Sequence, residues 1–145
     1  MPENNLIFFD TNILVYAYDR GEPEKSKIAA HLIQETWEDH RAVTSFQVLQ
    51  EFLVTTVHKI KTPLVLNQAV EICKNFCTWE PVATNQEIFF DACQIMAQNK
   101  LSYWDAAILA QAMWASCRYL YSEDLQNGFE LKGLKVINPF HGSMR

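Results

Sequence analysis

Short apolar runs that stop at a polar or acidic residue alternate along this chain with longer stretches of helical periodicity. Residues 6–9 form such a run, halted at Asp10, and read as a buried strand. Residues 12–18 continue apolar and start a short helix. Pro23 opens a second helix over 24–39, with Ile28, Ala29, Leu32, Ile33 and Trp37 on one face. Residues 41–45 are a short strand, and Thr44-Ser45-Phe46-Gln47 reads as a capping box that starts a helix to about residue 60. A helix over 64–76 turns Leu66, Ala69, Val70, Ile72 and Cys73 inward, and 78–82 is an edge strand because it carries Pro81. Residues 85–99 are helical. Residues 102–116 form a helix apolar on nearly all sides, hence buried on most of them. Strands follow at 118–122 and 134–138, the last ended by Pro139. Strands separated by helices in so short a chain imply one α/β domain over residues 1–145. Its expected form is a three-layer sandwich with a short, mostly parallel sheet flanked by helices.

Composition narrows the partners. With 145 residues, 49% of them hydrophobic, the chain can bury a core without disulfide or metal staples. A net charge of −5 excludes a uniformly basic nucleic-acid binder, so a polyanion must be met through a local basic patch or bound metal ions. Arg20, Lys25, Lys27, Lys59 and Lys61 are the candidate phosphate contacts. The four cysteines form no C-x-x-C pair and read as reduced small hydrophobes, not a zinc site. Neither a signal segment nor a membrane span stands out, so a soluble cytoplasmic protein with no membrane partner is expected. Trp37, Trp79 and Trp114 read as core, and Trp104, beside Asp105, as the aromatic nearest the chemistry.

Ligands of open parallel sheets bind outside the carboxyl ends of the strands. Asp10 ends the first strand, and Ser122-Glu123-Asp124 follows a later one. Glu51 stands among Val48, Leu49, Phe52 and Leu53, and Asp105 opens the apolar helix after Tyr103-Trp104. No Lys or Arg lies within three residues of Asp10, Glu51 or Asp105. Carboxylates beside apolar side chains are costly unless paired or bound to a cation. Each also has a plain structural role open to it: Asp10 as a helix cap, Asp105 in a capping box begun by Ser102, Glu51 facing solvent, Glu123 and Asp124 in a turn. Together they suggest a shared hard cation, Mg²⁺ with Mn²⁺ as substitute.

The run Phe9-Asp10-Thr11-Asn12-Ile13-Leu14 resembles the opening signature of the PIN domain ribonucleases. Gln50-Glu51-Phe52, Tyr103-Trp104-Asp105-Ala106-Ala107-Ile108 and Ser122-Glu123-Asp124-Leu125-Gln126 match the remaining motifs in order, over essentially the whole chain. The likeness is greatest to the compact VapC-type toxins of bacterial toxin–antitoxin modules. It implies that Asp10, Glu51, Asp105 and Asp124 are the catalytic, metal-binding acids, with Glu123 as a fallback for the fourth. It implies supporting roles for Thr11, Asn12 and Ser122, a serine where the family often has threonine. It further implies an RNA substrate, a cognate antitoxin and a homodimer.

Metal-assisted hydrolysis of a phosphodiester suits these residues, since a bound ion generates the nucleophile and neutralises charge on the phosphate. No G-x-S-x-G, P-loop or G-x-G-x-x-G is present, and Asn12 stands where a D-x-D phosphatase needs an aspartate. The alternatives are an RNA-processing nuclease of the same family without an antitoxin, and a catalytically silent PIN-like binding module.

Overall fold

The computed structural model describes residues 5–141. The chain forms β1 (Ile7–Phe9), α1 (Thr11–Tyr16), α2 (Pro23–Glu38), β2 (Ala42–Val43) and α3 (Phe46–His58). Then come α4 (Leu66–Phe76), a 3₁₀ turn (Cys77–Trp79), α5 (Gln86–Asn99), α6 (Tyr103–Trp114), β3 (Tyr119–Tyr121), β4 (Glu130–Leu131) and β5 (Leu134–Ile137). The sheet order is β2-β1-β3-β5-β4. β2, β1, β3 and β5 are parallel, and only β4 runs antiparallel, against β5. The expected α/β sandwich with a mostly parallel sheet is the fold observed.

Strand order reverses beside β1: the chain leaves β1 for β2 on one side and returns as β3 on the other. This switch point is where an open parallel sheet offers a crevice at its carboxyl edge. The core is built from the sheet residues Phe8, Phe9, Leu120 and Val136, with Ile13 and Leu14 of α1 and Phe52 of α3. In α6 every residue from Ala106 to Ala112 is buried. Its alanines cost little side-chain entropy and let the helix sit deep in the molecule. Among the described residues, no helix is long and apolar enough to cross a membrane.

Several local expectations need correction. The cap of α3 is Ser45, whose side chain accepts from the Val48 amide, while Thr44 turns its hydroxyl to the Phe9 carbonyl. Residues 78–82 make no strand: a 3₁₀ turn occupies the start, and Val82 contributes only a single bridge to Ser45. Leu66 and Val70 of α4 are exposed rather than inward, as is Trp114. Cys77 is exposed, so it is not one of the buried hydrophobes. β4 is an addition. It pairs with β5 across Lys132-Gly133, where both residues have positive φ, as a type I′ hairpin turn requires.

Candidate active site

Asp10 leaves β1 in extended geometry, and its amide donates to the Tyr121 carbonyl at 3.0 Å, prolonging the β1–β3 ladder by one rung. It caps α1, accepting the Thr11 amide on Oδ1 at 2.7 Å. Its other oxygen accepts the Ser122 hydroxyl at 2.8 Å. Asp10 is only 7% exposed, a burial that charged side chains seldom reach without an ionic partner. Desolvation pushes its pKa up to about 6, against the lowering effect of the Ser122 and Thr11 hydrogen bonds. The neighbouring carboxylates of Asp124 and Glu51 push in the same direction as burial.

Ser122 follows β3 and is wholly buried. Its hydroxyl donates to Asp10 and accepts from the amides of Asp124 at 3.2 Å and Leu125 at 3.4 Å. A hydroxyl has one proton and two lone pairs, and all three are engaged. This one side chain therefore ties the buried aspartate to the loop that bears Asp124. Ser122→Ala is expected to cost about 1–3 kcal/mol of stability by leaving buried polar groups without partners. Urea unfolding of the metal-free protein at pH 7 measures it, and a loss near zero would deny the hydroxyl this role.

Glu51 is half-buried and turned to the site, not to solvent. Its Oε1 accepts the Thr11 hydroxyl at 2.6 Å, and Gln47, one helical turn earlier, reaches Oε2 at 3.4 Å. Gln47 in turn accepts from the buried Gln111 of α6 at 2.6 Å. Neither glutamine was expected at the site. The available signal was Gln111 itself, the lone polar side chain in the apolar run 106–114. Asn12 does not touch Asp10; its Oδ1 accepts the Glu123 amide at 3.1 Å, and its Nδ2 is buried without a partner.

Asp105 stands in the first turn of α6, where Ser102 caps the helix by accepting the Asp105 amide at 3.1 Å. It is half-buried. The charges of Glu51 and Asp124 act on Asp10. Glu123 is already engaged: both its carboxylate oxygens are taken, by Tyr16 and Lys25. Lys25 is thereby committed to Glu123 and is not a free phosphate contact. Lys59, another expected phosphate contact, does line a cleft of about 660 Å³ together with Thr11, Asn12, Tyr16, Glu51 and Asp124.

Among the described residues, no three His, Cys, Asp or Glu side chains stand close enough to hold one ion between them. The donor set still fits a hard divalent cation. Asp10 is a buried carboxylate whose neighbours are also acidic, and the ion pairs of the described residues bring no Lys or Arg to Asp10, Glu51, Asp105 or Asp124. Mg²⁺ in particular takes one or two carboxylates and keeps several waters, so a closed cage of protein ligands is not required.

The fold resembles that of a toxin–antitoxin complex from Klebsiella pneumoniae, with a TM-score of 0.67 and 20% sequence identity over 92% of this chain and 97% of that one. No curated protein matches the sequence. Residues 7–129 match the family model of the PIN domain, a stretch that runs from β1 and Asp10 through Glu51 and Asp105 to the Ser122 loop, and so the chain belongs to the PIN domain family.

Proposed function

We propose that this protein is a Mg²⁺-dependent endoribonuclease that hydrolyses RNA phosphodiester bonds, and that it is the toxin of a toxin–antitoxin pair acting in the cytoplasm. The observation that carries the reading is the buried Asp10, pressed by Glu51 and Asp124 at the carboxyl edge of the sheet's switch point. PIN domains are generally nucleases and typically use divalent metal ions.

Asp10, Asp124, Asp105 and Glu51 are the residues that would hold the metal, one or two of them directly and the others through its waters. When bound, it supplies Lewis acidity, lowering the pKa of a water and offsetting charge on the phosphate. The chain's own side chains do the rest. The Thr11 amide and Ser122 hydroxyl fix the Asp10 carboxylate in one orientation. Glu51, steadied by Thr11 and Gln47, lies on the cleft wall, where a carboxylate can take the proton of an attacking water. Lys59, on the same wall, suits a phosphate oxygen.

The antitoxin partner rests on the toxin–antitoxin neighbour and on the acidic site. A partner arginine would pair with these carboxylates and compete with the metal. The homodimer rests on exposed apolar side chains such as Phe90, Trp104 and Trp114, which a second copy would cover. A second reading, a silent binding module of the same fold, is favoured by the lack, among the described residues, of three acids grouped closely enough to hold one ion. Incubating the purified chain with RNA in Mg²⁺ and in EDTA separates the two. Cleavage in Mg²⁺ that vanishes in EDTA is the expected result; no cleavage with Mg²⁺ or Mn²⁺ leaves the silent module.

A further inference from the structure

We propose that Lys25 and Tyr16 are positioning residues for Asp124: by gripping Glu123 they fix the loop that brings Asp124 to the cleft. The inference rests on the nuclease reading for its consequence, but on contacts for its geometry.

The Glu123 side chain is held by two helices at once. Tyr16 of α1 donates its hydroxyl to Oε1, and Lys25 of α2 pairs with Oε2. The pair is sheltered, with side chains 19% and 25% exposed for Lys25 and Glu123. The Lys25 ammonium also lies 4.8 Å from the centre of the Tyr16 ring and 5.4 Å from that of Phe140, and the two rings meet edge to face at 5.2 Å. An ammonium over aromatic faces is attracted to them and is held there partly dry. The backbone of the same residue is pinned independently, since the Glu123 amide donates to Asn12.

Asp124 is the next residue. Its side chain is exposed and has no hydrogen bond or ion pair among the described residues, so its place is set by the backbone on which it stands. That backbone is fixed by Ser122 on one side and by the gripped Glu123 on the other. Charge matters as well. Lys25 neutralises Glu123, which would otherwise repel Asp124 and compete with it for a cation. Because the pair is sheltered, removing Lys25 leaves the Glu123 carboxylate without its cation and frees the loop that carries it.

The test uses the full chain and two readouts: amide hydrogen exchange at Glu123 and Asp124, and the Mg²⁺ concentration that gives half-maximal RNA cleavage. Lys25→Met is expected to speed exchange at both amides and to raise the half-activating Mg²⁺ about three- to tenfold, while the amides of β1 and α6 exchange as in the wild type. Tyr16→Phe, which removes only a hydroxyl, is expected to do the same more weakly. Lys25→Arg, which keeps a cation beside Glu123 and over the rings, is expected to retain most of the wild-type behaviour, which a general packing defect would not allow. Unchanged exchange and unchanged Mg²⁺ dependence in Lys25→Met, in a preparation whose wild type cleaves, overturn the proposal. A wild type that cuts no RNA overturns the nuclease reading instead. The exchange data then judge the clamp alone, faster exchange upholding it and unchanged exchange refuting it.

Discussion

Asp10→Asn is expected to lower Mg²⁺-dependent RNA cleavage by about a thousandfold or more while leaving the fold intact. A metal ion on the reacting phosphate is worth several kcal/mol, and each 1.4 kcal/mol is about tenfold in rate. Asn keeps the shape of the side chain. Its carbonyl can still accept the Thr11 amide, but its amide faces a Ser122 oxygen whose lone pairs are already filled by the Asp124 and Leu125 amides, so one hydrogen bond of the frame is lost. What goes is the negative charge that attracts the cation. In EDTA at pH 7 the substitution is expected to stabilise the protein by about 1–2 kcal/mol, because removing a buried anion beside Asp124 and Glu51 outweighs the lost Ser122 hydrogen bond. Cleavage assays and urea unfolding read the two effects separately. Full activity in Asp10→Asn would take Asp10 out of the site, and a sharp loss of stability would make it a helix cap before anything else.

The pH dependence of the metal-free protein follows from the same group. Burial raises the folded pKa of Asp10 to about 6, above the usual 3.8, so the fold favours the protonated form. Its contribution to stability is therefore fully present below about pH 4 and is lost as pH rises through about 6. A shift of this size corresponds to about 3 kcal/mol between those limits. Asp10→Asn shares every other ionisable group with the wild type. The informative quantity is thus the difference in unfolding free energy between Asp10→Asn and wild type. It is expected to be widest above pH 7 and to shrink steadily toward pH 4. Adding Mg²⁺ at pH 7 should raise the melting temperature of the wild type and leave the variant unmoved. A difference that stays constant with pH would mean that Asp10 is not desolvated as described.

Much of this architecture was legible in the chain because its signals are local. The apolar run that stops at Asp10 carries its own periodicity and its own breaker, and the nearly uniform apolarity of α6 announces its depth. The strand–helix alternation then places Asp10 and Ser122 at one sheet edge by topology alone. What could not be read is what depends on distant partners. Leu66 and Val70 look inward on a helical wheel, yet nothing in a wheel says whether another element covers that side. Thr44 and Ser45 are equally good caps by type, and the choice is made by the Phe9 carbonyl, which claims the Thr44 hydroxyl from across the sheet. The hairpin at β4 was recoverable, since Lys132-Gly133 between Leu131 and Leu134 has a turn's spacing, but two-residue strands carry almost no pattern.

The site divides in the same way. The acids stood out because unpaired carboxylates in apolar surroundings are rare. Their supports did not, because Gln111 to Gln47 and Lys25 to Glu123 are separated by 64 and 98 positions, and only folding brings them together. Lys25 illustrates the difficulty: a lysine near the first motif is an equally good candidate for phosphate until its acidic partner is known.

Diffraction from crystals soaked in Mn²⁺ tests the central claim most directly, since the anomalous signal locates the ion without reference to activity. A peak is expected at about 2.0–2.2 Å from an Asp10 carboxylate oxygen, with Asp124, Asp105 or Glu51 or their bound waters completing the shell, and no such peak in Asp10→Asn. Mn²⁺ bound elsewhere, or absent from Asp10 while the same preparation cleaves RNA, would contradict it.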